Sequence, residues 1–240
     1  MTKLSQHLTA SRRVLERLVE LSDPTNSDTV LEPGCGDGRL TELLAERGCR
    51  ILAVEIDPRL AEEARQRLKS WPNVEVFTGN VLELSPEGFT MIVGNPPYHI
   101  SRRLVEWIVA RPSPRRVVMT LQREFAQKLT ALPGSRTYLY ISLLSQLLYR
   151  IEILDTVPPS AFKPRPQVTS CIVRMERNEQ KPLGAEQLGL LKQIFTDRRH
   201  VLGKVLRKMG YTAPQKLANK RVYHLTTQDA KTVLESLGFY

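Results

Sequence analysis

Between residues 28 and 122, short apolar runs alternate with longer segments whose apolar residues recur every three or four positions. "DTVLEP" reads as a strand, "GRLTELLAERG" as a helix closing at Gly48, and "RILAVEI" as the next strand. "PRLAEEARQRLKS" follows as a helix with Pro58 in its first turn, where the missing N–H has no partner to lose. "VEVFTGN", "FTMIVGN" and "RRVVMTL" are further strands, with helical segments between most of them. Such alternation predicts an α/β fold: a mostly parallel sheet covered by helices on both faces. "RIEILDTV" and "QVTSCIVRME" come late and close together with no helix between them, which predicts an antiparallel pair finishing the sheet. After Glu176 the pattern changes to a polar linker, "NEQKPLG", and then short amphipathic helices in "AEQLGLLKQIFTD", "RRHVLGKVLRKM" and "TQDAKTVLESLG". The expected division is a domain over residues 1–180 and a small helical domain over 181–240.

Composition adds a partner class. The chain has 240 residues, enough for one large core with an appendage, and a formal charge of +10. From Lys181 onward eleven Lys/Arg stand against four Asp/Glu, so +7 of that charge lies in the last quarter. A polyanionic partner fits this distribution. Cys35, Cys49 and Cys171 have no paired metal-ligand spacing, and His99, His200 and His224 have no companion ligands, so no metal is expected. Trp71 and Trp107 read as packing residues, and Cys35 has no base partner that would make it a nucleophile. The start lacks the apolar stretch of a signal peptide, and the longest apolar segment, "YLYISLLSQLLY" (138–149), is too short to span a bilayer. A soluble, cytoplasmic monomer is expected.

Candidate chemistry begins at "LEPGCGDGRL", which puts Gly34, Gly36 and Gly38 between a strand and a helix. Glycines there let a ligand approach the backbone, and the helix start offers free N–H groups. The spacing G-x-G-x-G departs from the pyrophosphate fingerprint G-x-G-x-x-G. Glu32, just before the glycines, would repel a phosphate but suit a cationic or amino-bearing ligand. Glu55 ends the next strand, where an acid can bond ribose hydroxyls. Asn80 ends the third strand and can accept from an exocyclic amine. Together these describe S-adenosylmethionine, a nucleoside carrying an amino acid and a sulfonium charge. The plainer alternative is a glycine-rich turn with surface acids.

The fourth strand ends in "VGNPPYHIS". Prolines stiffen this turn and leave carbonyls with few local partners. Asn95 arrives beside the methyl donor; its side-chain oxygen and the Pro96 carbonyl could accept both N–H bonds of an aromatic amine, directing the nitrogen lone pair at the methyl group. Tyr98 would offer a stacking face for a flipped base. The plainer alternative is a proline-stiffened turn with a buried tyrosine.

"NPPY" is a form of the (Asn/Asp/Ser)-Pro-Pro-(Tyr/Phe) signature of amino-group methyltransferases acting on adenine, cytosine or glutamine. "SQHLTASRRVL" (5–15), "LQREFAQKLTALPGSRTYLYISLLSQ" (121–146) and "VPPSAFKPRPQVTSCIVR" (157–174) resemble, in order, the cofactor lid, the helix and loop after the catalytic turn, and the proline-rich loop of the KsgA-type ribosomal RNA adenine dimethyltransferases. The resemblance covers about residues 4 to 177. It implies a Rossmann-like class I S-adenosylmethionine-dependent fold. His7 and Thr9 align with lid positions contacting the cofactor, Gly34 with the glycine-loop contact, Glu55 with the ribose acid and Asn80 with the adenine reader. Asn95, Pro96 and Tyr98 align with the target-amine turn, and Phe162 with a second aromatic against the target base. The family usually has Leu or Ile at Pro96 and Asp at Asn80.

Arg102, Arg103, Lys163 and Arg165 flank these motifs and could hold RNA phosphates, as could Arg115, Arg116, Arg123 and Lys128; each is also an ordinary solvated charge. Arg198, Arg199, Lys204, Arg207 and Lys208 recur at helical spacing and predict one basic face. The expected activity is dimethylation of two adjacent adenines at N6 near the 3′ end of small-subunit ribosomal RNA, in free RNA or a precursor subunit. Three other readings remain: the large-subunit methyltransferases of macrolide resistance, a DNA-adenine or protein-glutamine methyltransferase suggested by Pro96, and a non-catalytic ribosome-assembly factor.

Overall fold

The computed structural model describes residues 8–9, 11–84, 86–111, 114–178 and 183–239. Seven strands form the main sheet: β1 (Thr29–Pro33), β2 (Arg50–Glu55), β3 (Val74–Thr78), β4 (Met91–Gly94), β5 (Arg116–Gln122), β6 (Tyr149–Val157) and β7 (Ser170–Arg177). Their order is 3-2-1-4-5-7-6. The first five pair in parallel, while β7 runs antiparallel to β5, pairing Gln122 with Ser170 and Arg116 with Glu176. This is the doubly wound order 3-2-1-4-5-6 with one reversed strand inserted near the edge. The two late apolar runs, β6 and β7, are indeed neighbours that complete the sheet.

Ten helices accompany the strands among the described residues: α1 (Arg12–Ser22), α2 (Arg39–Ala45), α3 (Pro58–Leu68), α4 (Val81–Leu84), α5 (Ser101–Val109), α6 (Arg123–Leu129), α7 (Tyr140–Leu148), α8 (Ala185–Thr196), α9 (Leu202–Lys208) and α10 (Thr227–Ser236). Local chemistry sets their ends. Asp57 caps α3 by accepting from Arg59 N at 2.9 Å, with Pro58 at the first helical position. Thr226 and Asp229 form a reciprocal capping box at α10. One core cluster packs Leu15, Leu18 and Val19 of α1 and Leu40 and Leu44 of α2 against Val30, Ile51, Met91, Val93, Val118 and Ile172 of the sheet. These strand residues are apolar because a parallel sheet is buried on both faces.

The chain gathers into two compact units. One holds the described residues of Met1–Ile108, Ser113–Ala126 and Arg150–Arg177. The other holds those of Val109–Pro112, Gln127–Tyr149 and Asn178–Tyr240. Against the single boundary expected at 180, the second unit also takes in 127–149 and the described residues of 109–112. The cause is the apolar segment 138–149. It becomes α7, whose Leu143, Leu144, Leu147 and Leu148 are buried, and Tyr138 before it donates to Leu225 O at 2.8 Å and packs its ring on Phe195. Gln146, which breaks the apolar run, donates to Leu129 O and Ala131 O. Among the described residues no helix is long and apolar enough to cross a membrane.

The expected helix "RRHVLGKVLRKM" is shorter than its pattern. Val201 is extended and bridges to Arg221, so α9 starts only at Leu202 and Arg198 and Arg199 lie in the preceding turn. The five cations therefore do not share one helix.

Candidate functional site

In an open sheet, ligands bind beyond the carboxyl ends of the strands where strand order reverses. Here that point lies between β1 and β4, which pair through Val30–Met91 and Leu31–Ile92. The glycine loop leaves β1 and the Asn95–Tyr98 turn leaves β4, so topology places both at one crevice.

Gly34, Gly36 and Gly38 all have positive φ, of 74°, 59° and 83°. At Gly34 the need is also spatial: a Cβ there would fall 3.1 Å from Pro97 Cδ, so the Asn95–Tyr98 turn lies directly against the loop. Gly34 and Cys35 donate to Val54 O, and Gly36 N donates to Glu55 Oε2 at 2.9 Å. Glu55 Oε1 accepts from Asp57 N, so this buried carboxylate ties the end of β2 to the glycine loop and to the start of α3. Glu32, Gly34, Cys35 and Asn95 line one small cavity with Leu15, Asp37, Arg39 and Leu40.

Glu32 is 2% exposed, and its Oε2 has no hydrogen-bond partner among the described residues. Burial raises its pKa to about 8; Thr41 opposes the shift, and the charges of Glu55 and Asp37 add to it. A buried acceptor facing a cavity fits a cationic or amino group. Cys35 is inert, because burial pushes its thiol far up.

Asn80 faces its own helix. Its Oδ1 accepts from Leu82 N at 3.1 Å and its Nδ2 donates to Glu83, which makes it a cap for α4. Tyr98 opens a short 3-10 turn, Tyr98–Ile100. Its phenol bonds Ser170 Oγ at 2.5 Å, and its ring meets Phe162 nearly perpendicular, with centroids 6.4 Å apart. Burial raises the phenol pKa, with the Ser170 bond opposing. Phe162 itself is 3% exposed and belongs to the core cluster, so it backs Tyr98 edge-on rather than standing open opposite it. Its backbone pairs with Thr9 in a two-residue antiparallel ladder, Leu8–Thr9 against Phe162–Lys163. His7 lies outside the described residues.

Arg102, Arg103, Lys163 and Arg165 are exposed, Arg102 pairing with Glu106 on its own helix. Arg115 and Arg116 are held internally: Arg115 on Asp28 at 2.8 Å, and Arg116 on Glu176 at 2.7 Å and Ser22 O. Arg199, Lys204, Arg207 and Lys208 are exposed, with Lys208 3.2 Å from Asp197. Arg198 differs, because its guanidinium donates to Tyr138 O at 2.7 Å and to Arg136 O. Trp107 packs on Phe89 as a core residue. No group of three His, Cys, Asp or Glu that could hold a metal occurs among the described residues. Ser170 was not singled out from the sequence; the signal was its place at the end of the proline-rich motif.

A glycine-rich turn at the switch point, a buried acid behind it and an antiparallel strand between β5 and β6 define a class I S-adenosylmethionine-dependent methyltransferase. The family model described as "Ribosomal RNA adenine dimethylase" matches residues 1–238, and the chain belongs to that family. A probable ribosomal RNA small subunit methyltransferase A of Pyrococcus abyssi is 33% identical over 255 residues, covering 98% of this chain and 91% of the relative. A crystal structure of a dimethyladenosine transferase from Plasmodium falciparum superposes with a TM-score of 0.85 at 24% identity, covering 96% of this chain and 97% of that one. The 23S rRNA methyltransferase ErmE superposes with a TM-score of 0.71 at 27% identity, covering 95% of this chain and 98% of that one.

Proposed function

We propose that this enzyme transfers methyl groups from S-adenosylmethionine to N6 of two adjacent adenines near the 3′ end of small-subunit ribosomal RNA. The observation that carries the reading is the Asn95–Tyr98 turn pressed against the glycine loop at Gly34, since methyl transfer requires donor and acceptor at one crevice. Bound there, S-adenosylmethionine supplies an electrophilic methyl on a sulfonium sulfur.

Glu32, Gly34, Gly36, Gly38 and Glu55 hold the cofactor, with Asn80, His7 and Thr9 at its margins. Glu32 accepts from the amino group of its methionine part, and Glu55, at the end of β2, accepts from ribose hydroxyls. The amine of adenine is a weak nucleophile because its lone pair is delocalised into the ring. Asn95 Oδ1 and the Pro96 carbonyl accept its two N–H bonds, so that the lone pair is localised and aimed at the methyl carbon. No strong base is required, because the nitrogen proton becomes acidic as the N–C bond forms. Tyr98 stacks on the flipped base, with Phe162 behind it.

Arg102, Arg103, Lys163 and Arg165 contact phosphates around the flipped nucleotide, and Arg199, Lys204, Arg207 and Lys208 of the second unit dock more distant RNA. The protein acts in the cytoplasm as a monomer. The small-subunit reading is favoured over the large-subunit one by the similarity to the Pyrococcus abyssi protein named as a probable small subunit methyltransferase.

The test is to incubate the protein with S-adenosylmethionine and unmethylated small or large subunits, then read the RNA by reverse transcription. Dimethylation blocks the pairing edge, so a paired stop in small-subunit RNA, lost in Asn95→Ala, is expected. Stops confined to large-subunit RNA would reassign the substrate.

A further inference from the structure

Ser170 is fully buried at the first position of β7. Because β7 is antiparallel to β5, its first residue lies opposite Gln122, the last residue of β5, and so reaches the sheet edge where β1 and β4 end. The backbone there is fixed, since Arg123 N donates to Thr169 O at 3.0 Å. From this position Ser170 Oγ meets Tyr98 Oη at 2.5 Å, across 72 residues of chain. Eight residues before Ser170, Phe162 presses edge-on against the same ring.

One segment, Phe162 to Ser170, therefore holds Tyr98 at two points. The ring contact limits rotation of the aromatic plane, and the hydroxyl bond fixes the far end of the side chain. A phenylalanine facing an alanine would bury the same area without removing two hydroxyls from water, which costs free energy unless they bond each other.

We propose that Ser170 is a positioning residue: its hydroxyl anchors Tyr98 and sets the plane on which the target adenine stacks. This rests on the reading of the Asn95–Tyr98 turn as the target-amine site. Asn95 is three residues from Tyr98 on a stiff turn, so tilting the ring moves N6 relative to its acceptor without touching the cofactor.

The test compares Ser170→Ala, Ser170→Thr, Tyr98→Phe and the Ser170→Ala/Tyr98→Phe double variant in the full chain. Methyl transfer to unmethylated small subunits is measured with thermal unfolding, and the ¹³C shift of Tyr98 Cζ, which follows hydrogen bonding at Oη, is recorded in each folded variant that keeps the tyrosine. Losing one hydrogen bond should lower kcat about tenfold in Ser170→Ala with KM for the cofactor unchanged. The Tyr98 Cζ shift should move, Ser170→Thr should restore both readouts, and the double variant should be no slower than Tyr98→Phe alone. An unmoved Cζ shift, additive losses, or a kcat loss that only follows a lowered melting temperature would overturn the proposal. Activity abolished in Asn95→Ala but unchanged in Ser170→Ala would overturn it while leaving the functional reading intact. No transfer by the parent chain to either subunit would overturn both.

Discussion

Glu32 carries its carboxyl into a fully buried position beside a glycine loop, and its protonation is coupled to folding. The raised value, about 8 against 4.5 for a free group, means that between those pH values the folded protein keeps a proton that the unfolded chain has released. This contribution to stability is fully present below pH 4.5 and is lost as pH rises through about 8. The loss is on the order of 1 kcal/mol per pH unit for a buried group. Glu32→Gln should flatten the stability profile of the cofactor-free protein across that window. Urea unfolding at half-unit pH steps checks this, and an unchanged slope would remove Glu32 as its source. The same variant should weaken S-adenosylmethionine in calorimetry, because an amide, unlike the carboxyl, cannot give up a proton to pair with the cofactor's ammonium group. At Asn95 the expected effect is on turnover: Asn95→Ala should lower kcat at least a hundredfold while leaving cofactor affinity within about threefold. Single-turnover methylation beside calorimetry separates the two.

At the scale of elements, the loop from β1 to α2 depends on backbone that only glycine adopts easily. Gly38 has φ 83°, and a Cβ there would lie 3.0 Å from Leu68 Cδ1 and 3.3 Å from Ala64 Cα of α3. Gly38→Ala should therefore destabilise the protein by about 1–3 kcal/mol. The midpoint of denaturant unfolding measures this, and a neutral outcome would mean that α3 shifts to make room. The backbone course of this loop was legible in sequence because glycines between a strand and a helix have a mechanical reading. So was the sheet, whose inner strands β1, β2, β4 and β5 are short apolar runs buried along most of their length. Less legible was anything set by distant partners. The reach of α7 into the second unit follows from Tyr138 meeting Leu225, and the truncated start of α9 follows from Val201 pairing with Arg221. The site shows the same limit. Strand-end position and the family resemblance both point to Glu55 and Asn80 as ligand contacts, yet both also serve the local backbone, at Gly36 and Leu82. Phe162 aligns by its motif with a second aromatic against the target base, and in the structure its side chain is part of the core cluster.

For the whole molecule, the excess positive charge matters through what remains free to meet a polyanion. Counting basic residues in the last quarter overstates this, because Arg198 donates to the carbonyls of Tyr138 and Arg136. Lys204 and Arg207, exposed and three residues apart on α9, have no such commitment among the hydrogen bonds and ion pairs described. The two kinds of residue should fail differently. Lys204→Glu with Arg207→Glu should leave the melting temperature nearly unchanged but weaken RNA binding at low salt. Each phosphate contact with single-stranded RNA contributes roughly 0.7 to the slope of log affinity against log salt, so losing two should flatten it by about 1.4. Arg198→Ala should do the reverse. It removes the donor from the half-buried Tyr138 carbonyl and so should lower stability by about 1–3 kcal/mol, with the salt slope preserved. Fluorescence titration of small-subunit RNA at several salt concentrations, run beside thermal unfolding, distinguishes the outcomes. Equal salt slopes in the parent and the charge-reversed variant would place the RNA-docking charge elsewhere, with the exposed Arg102, Arg103, Lys163 and Arg165 as the next residues to change.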